Sequence, residues 1–235
     1  MTVRVPTIDC TFGNDAALAE SFARTVAANL RAAIDARGRA LIGVSGGSTP
    51  REFFRHLSDL ELDWSRVTIT LCDDRWVPPT SDRSNEHLLR ETLLRNKAAV
   101  AAFAPLYIDS SDPESALPKV QANIGKLALP FDVIVLGMGS DGHTASLFPG
   151  GDHLDEASNP DATARVLPMR APDAPEPRIT LTLSALIDTR ALYLHIEGAD
   201  KKAVFDKAMT SDDPPAPIRT VLKASRVTPI VIWCP

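Results

Sequence analysis

Residues 131–148 read Phe131-Asp-Val-Ile-Val-Leu-Gly-Met-Gly-Ser-Asp-Gly-His-Thr-Ala-Ser-Leu-Phe148. The apolar run from Val133 to Leu136, with Phe131 just upstream, has the length and β-branched content of a strand buried on both faces. Strands of that kind belong to parallel sheets covered by helices. The run stops at Gly137 and enters a turn containing Gly139 and Gly142, residues that permit positive φ and close backbone approach to a ligand. Asp141 and His143, an acid and a base two residues apart, are set into that turn. In an open α/β sheet the loop beyond the carboxyl end of a strand is where ligands bind. A histidine there can exchange a proton near neutral pH. The stretch therefore predicts both a fold class and an enzyme.

On either side the chain alternates helices and strands. Residues 14–37 carry Leu18, Phe22, Val26, Leu30 and Ile34 at helical spacing, with Asn14 or Asp15 to cap the start and Gly38 the end. Ala40–Val44 reads as a buried strand, 45–49 as a turn, and Pro50 as the opening of the next helix. Thr49-Pro-Arg-Glu52 has the form of a capping box with proline at the first helical position. Further strands are expected at Val67–Leu71, 106–108, 179–183, 191–196 and 229–233. Helices are expected at 84–95, at 113–129 (broken or delayed by Pro118) and at 199–209. Residues 72–79 read as a polar loop, and 149–177, rich in proline and without periodicity, as a long surface segment crossing the site. The order predicts one α/β domain over 1–235: three layers, a mostly parallel sheet with helices on both faces, Rossmann-like.

Composition narrows the function. With 44% hydrophobic and 23% charged residues the 235-residue chain is an ordinary globular protein, large enough to bury a substantial core. The net charge of −5 is spread along the sequence, and no basic stripe points to nucleic acid or an anionic membrane surface. An anionic substrate must then be caught by local groups. The N-terminal residues lack the apolar core of a signal peptide, and no apolar run is long enough to span a bilayer. Cys10, Cys72 and Cys234 are far apart and lack metal-ligand spacing, so free thiols in a reducing cytoplasm are expected. No cluster has the spacing of a metal site. A monomer is expected, since no obvious exposed apolar helix or sheet edge stands out.

Three further segments carry chemistry. Ser45-Gly46-Gly47-Ser48-Thr49 joins a strand to a helix, where unpaired N–H groups and the helix dipole form a cradle for an anion. It lacks the Gly-Lys-Ser/Thr ending of a nucleotide-triphosphate loop, and it also fits a plain turn whose Ser48 and Thr49 cap the helix. Asp73-Asp74-Arg75 follows the strand at 67–71 and falls on the same sheet edge; Arg75 can grip a phosphate with two bonds or simply form a surface ion pair. Lys201 and Lys202 follow Gly198 at a helix start, where a cation opposes the dipole unless an anion meets it. Gly137, Gly139 and Gly142 also spell a dinucleotide fingerprint, but Pro149-Gly150-Gly151 interrupts the helix that motif requires. His56, His87 and His195 fit structural or solvated positions, and His153 lies in the long segment.

Taken together, SGGSTP at 45–50, DDRWVP and SN within 73–85, LGMGSDGHTASLFPG at 136–150, PRITLT at 177–182 and GADKK at 198–202 resemble 6-phosphogluconolactonases. These belong to the larger fold group of glucosamine-6-phosphate deaminase and ribose-5-phosphate isomerase. That family usually shows Glu where Asp74 stands. The deaminases place an acidic partner for the histidine where this chain has Phe148. The resemblance implies cofactor-free hydrolysis of 6-phospho-D-glucono-1,5-lactone in the cytoplasmic pentose phosphate pathway. It implies His143 as general base, Asp141 orienting it, and backbone N–H groups of the glycine turn stabilising the oxyanion. The phosphate would meet the 45–49 turn, Arg75 and Lys201, Asp73 would contact sugar hydroxyls, and Arg178 would bind ligand or serve structure. A sugar-phosphate isomerase or deaminase, or a non-catalytic sugar-phosphate sensor, would keep the same fold.

Overall fold

The computed structural model describes residues 6–9, 12, 14–210 and 215–235; Cys10 and the start of the N-terminal segment lie outside them. The strands are β1 (Thr7–Asp9), β2 (Ala40–Val44), β3 (Val67–Leu71), β4 (Asp73–Arg75), β5 (Ala102–Ala104), β6 (Val133–Leu136), β7 (Val166–Met169), β8 (Arg178–Leu181), β9 (Leu192–Glu197) and β10 (Ile230–Cys234). The helices are α1 (Asp15–Arg37), α2 (Arg51–Asp59), α3 (Asn85–Thr92), α4 (Pro113–Ile124), α5 (Leu154–Ala157), α6 (Leu183–Leu186), α7 (Gly198–Thr210) and α8 (Pro217–Ala224).

Seven strands form one parallel sheet in the order β1-β10-β9-β6-β2-β3-β5. From β2 the chain runs outward through β3 to β5, then crosses back to lay β6 on the other side of β2. The reversal lies between β2 and β6, and the crevice beyond such a switch point is where doubly wound sheets bind ligands. The loops after β2 and β6 are the two glycine-rich turns singled out from the sequence. Every residue of β2 and β6 is buried, as expected for strands sandwiched between helices.

Helix α1 forms as its pattern requires. The Asn14 side chain accepts from the Ala17 N–H, and Gly38 ends the helix at φ 72°, donating to Ile34. Leu18, Phe22, Val26 and Leu30 are wholly buried, each worth roughly 1.5–3 kcal/mol relative to exposure. Phe22 stacks on Phe53 of α2 at 4.5 Å, locking the two helices together. The buried apolar side chains form one continuous cluster. Among the described residues no helix is long and apolar enough to cross a membrane.

Several boundaries differ from expectation. The strand expected at 106–108 forms instead at β5, where Ala102 to Ala104 pair with Thr68 to Thr70; Leu106 is buried outside any strand. Helix α4 ends at Ile124, and Pro118 sits inside it without breaking it, forgoing one N–H bond to the carbonyl of Glu114. The 149–177 segment is surface along most of its length, but it contains a buried strand, β7, and the short α5 with Ala157 buried. Residues 72–79 contain β4, which pairs antiparallel with β8; β8 in turn pairs with β7 in a separate three-stranded sheet.

Candidate active site

The carboxyl edge of the large sheet opens into a cleft of about 290 Å³, near the lower end of ordinary ligand pockets, roughly 300–1,000 Å³. Ser45, Gly46, Gly47, Ser48, Thr49, Asp73, Arg75, His143 and Lys201 all line it.

The first wall is the turn after β2. Ser45 is tied to β6 by its N–H to Val135 O at 2.9 Å. Gly46 abuts α3: a Cβ there would fall 2.0 Å from Asn85 Oδ1. Gly47 turns the chain at φ +100°. The expected capping box does not form. Pro50 occupies the N-cap position, α2 begins at Arg51, and no side chain caps it. Neither Ser48 nor Thr49 is engaged as the helix cap, and both face the cleft. Early N–H groups of an uncapped helix beside hydroxyl side chains suit an anion.

The second wall is the turn after β6. Gly139 has no room for a side chain: a Cβ would lie 2.2 Å from the His143 ring and 2.7 Å from Asp141 Oδ1. Gly142 adopts φ +80°. Gly137 needs neither freedom, since its added Cβ would meet only Ser45 at 3.9 Å. The N–H groups of Gly139 and Gly142 donate to His143 O and Gly139 O, at 2.9 and 3.2 Å. Both are consumed inside the turn, so these two N–H groups are not free for an oxyanion.

This folding brings His143 Nδ1 to 2.6 Å from Asp141 Oδ1, which also accepts the His143 backbone N–H at 3.1 Å. Burial would raise the Asp141 carboxyl, but the hydrogen bonds from the side chain and backbone of His143 outweigh it and bring it to about 2. An ionised carboxylate only accepts, so Nδ1 carries the proton and Nε2 is left with its lone pair. Phe148 packs its ring 4.3 Å from the imidazole.

The small sheet forms a third wall. The β4–β8 register sets Asp73 opposite Thr180 and Arg75 opposite Arg178. Asp73 is buried and accepts Ser146 Oγ at 2.5 Å, joining this sheet to the His143 turn. Arg75 donates to Arg83 O at 2.7 Å. Asp74 points away from the cleft. Wholly buried, it accepts the N–H groups of Arg75, Asn85 and Glu86 and the Ser84 hydroxyl, at 2.7 to 3.2 Å. Burial pushes it up to about 6, against those hydrogen bonds. Its task is to fasten α3 to β4, which holds Asn85 against Gly46, with Asn85 Nδ2 bonded to Asp73 O at 2.9 Å.

The two lysines separate. Lys201 Nζ reaches Met138 O in the glycine turn at 2.8 Å, whereas Lys202 pairs with Asp206 at 2.7 Å and lies over Trp233. Among the cleft residues that escaped the sequence reading as ligand contacts are Asn85, Phe148, Asp173 and His195. Only Asn85, at a helix start beside the acidic pair, had a local signal. His195 is buried, with Nε2 2.9 Å from Glu197 and its ring edge-on to Phe22. His87 bonds Pro79 O, and His153 pairs with Glu156. Cys72 and Cys234 are free and buried. Burial raises both thiols, Cys234 to about 12.

Fold and cleft together have the form of an α/β enzyme that sets an imidazole beside an anion cradle at a switch point. The sequence matches, over residues 13–231, the family described as glucosamine-6-phosphate isomerases/6-phosphogluconolactonase, and the chain belongs to that family. It is 50% identical to a 6-phosphogluconolactonase of Rhizobium meliloti (strain 1021), covering 95% of this chain and 97% of the relative. With a 6-phosphogluconolactonase of Pseudomonas aeruginosa it shares 43% identity over 95% and 93% of the two chains. The structure matches the crystal structure of a 6-phosphogluconolactonase from Shewanella baltica with a TM-score of 0.94 at 40% identity, covering 100% of both chains. The chain is an enzyme of the lactonase branch.

Proposed function

We propose that this enzyme hydrolyses 6-phospho-D-glucono-1,5-lactone to 6-phospho-D-gluconate, in the cytoplasm and as a monomer of one domain over 1–235, with His143 as general base. The observation that carries the reading is the Asp141–His143 pair at the cleft, 2.6 Å apart with Nε2 left as the acceptor. Nε2 takes a proton from water as the oxygen attacks C1. The tetrahedral intermediate collapses, the C1–O5 bond breaks, and the imidazolium returns the proton to O5. The product carboxyl then ionises into solvent. A lactone carbonyl is reactive enough that positioned base catalysis, typically ~10² to 10⁴-fold, meets the need. Asp141 holds the tautomer and steadies the imidazolium.

Remote binding fixes C1 beside the base. Ser45, Gly46, Gly47, Ser48 and Thr49, with Arg75 and Lys201, hold the phosphate, and Asp73 meets sugar hydroxyls. The test is to generate the lactone in situ from glucose 6-phosphate and follow its opening, subtracting spontaneous hydrolysis. Acceleration by the wild type that His143→Ala loses, while phosphosugar binding persists, is the expected result. No acceleration by the wild type overturns the activity, and equal rates in both proteins overturn the base.

A further inference from the structure

The cleft contains a buried guanidinium that the mechanism so far does not use. Arg178 is only 7% exposed, and its Nε is buried without a hydrogen-bond partner. The Nε of Arg75, directly across the β4–β8 ladder, is in the same condition. Burying a cation without satisfying its donors is costly, and the nearby carboxylates do not satisfy this one. Glu176 stands 4.0 Å away and is bound to Arg83, while Asp73 is engaged by Ser146. Burial holds the Arg178 pKa below its ordinary value, with the Asp73 charge pulling the other way.

Its position relates it to the reacting end of the cleft. The Phe148 ring touches both groups: its centroid is 5.5 Å from Arg178 Cζ and 4.3 Å from the His143 ring centroid. The anion cradle after β2 belongs to another wall, Lys201 is bonded to Met138 O of the His143 turn, and Arg75 shares the small sheet with Arg178. The substrate proposed above carries one anionic group, the phosphate. A second negative charge exists only at C1, on the tetrahedral oxyanion and then on the product carboxylate. Two of the glycine-turn donors, those of Gly139 and Gly142, are consumed within their own loop.

We infer that Arg178, projecting from β8 beside Phe148 with its Nε unpaired, is a further catalytic residue that receives the C1 oxyanion and afterwards the product carboxylate. As water oxygen bonds to C1, the carbonyl electron pair moves onto O1, where the guanidinium meets it. Collapse returns that pair to carbon and expels O5, which takes its proton from His143. The inference rests on the lactonase reading and deepens it by giving the second charge of the reaction its own site.

The experiment measures lactone hydrolysis together with equilibrium binding of two phosphosugars: 6-phosphogluconate, which carries the C1 carboxylate, and 1,5-anhydroglucitol 6-phosphate, which has no charge at C1. In Arg178→Gln, kcat should fall ~10²-fold, the loss typical for one oxyanion donor, with KM little changed. Binding of 6-phosphogluconate should weaken ~10-fold or more, while the anhydro sugar phosphate binds as before. Parallel weakening of both ligands would make Arg178 a phosphate ligand and overturn the inference. Unchanged kcat with a lowered melting temperature would make it a brace and do the same. Arg178→Lys, which keeps the charge, covers the case of a Gln variant that fails to fold, and should retain more of the discrimination between the two ligands than of kcat. A Lys variant with the ligand discrimination of the wild type and full kcat would also overturn it. A wild type that does not hydrolyse the lactone yet prefers the carboxylate ligand would sink the lactonase reading and leave the carboxylate site standing.

Discussion

The cleft is built from two regions that differ in kind. The carboxyl edge of the parallel sheet contributes turns whose function is local: glycines at 46, 47, 139 and 142 shape backbone, and His143 finds its partner two residues away. The three-stranded antiparallel sheet contributes charged side chains, Asp73, Arg75 and Arg178, whose meeting depends on pairing across a wide stretch of chain. In the proposed mechanism the first region carries the proton chemistry and the phosphate. The second is a scaffold of buried charge, fastened by Asp74 below and by Ser146 to the His143 turn. The half-buried His143 side chain can be changed with little disturbance to the fold, whereas substitutions among the buried charges of the small sheet bear on stability.

That difference sets the order of the expected effects. His143→Ala should lower kcat by ~10² to 10⁴-fold and leave the melting temperature nearly unchanged, read by lactone hydrolysis and calorimetry. A large loss of stability would break the contrast. Asp141→Asn should lower kcat by up to ~10⁴-fold, because the amide can present its NH₂ to Nδ1 and favour the wrong tautomer. Since Asp141 sits near 2, its carboxylate persists through the whole useful range, and the acid limb of the wild-type pH–rate profile should not report it. Its folded value lies below the ordinary 3.8, so the stability it contributes is present above that value and lost only as pH falls towards about 2.

Lys201→Met should raise KM by ~10-fold or more, the cost of a charge-assisted contact. Lys202→Met, which loses an exposed pair with Asp206, should change it by less than ~2-fold. Equal effects from the two lysines would show that the turn of α7 does not separate their roles. The smallest effect belongs to the scaffold. Asp74 titrates near 6 in the folded protein against an ordinary 3.8, so the native state keeps a proton that the unfolded chain has lost. Stability should therefore fall as pH rises through that window. In Asp74→Asn this slope should vanish, measured by denaturant unfolding across the same range. A slope that persists would place the titrating group elsewhere.

Much of this was legible in the amino-acid order because its signals are short-range. The stripe of α1, the apolar runs of β2 and β6, the glycine turns that follow them and the His143–Asp141 spacing all lie within a few residues of one another. They fix local backbone and therefore the doubly wound sheet, its switch point and the pairing of His143 with Asp141. What needed the tertiary structure was everything made by pairing at a distance. Strands β4 and β7 are too short to show a period, and β7 lies among prolines that read as surface. Thr49 and Glu52 match a capping box, yet Pro50 takes the cap position and leaves the hydroxyls of Ser48 and Thr49 to the cleft. The Arg75–Arg178 juxtaposition, the burial of Asp74 beneath α3 and the parting of Lys201 from Lys202 follow from packing. Periodicity and turn chemistry belong to neighbours in the chain; the charge environment of a cleft belongs to neighbours in space, and only the folded sheet brings those together.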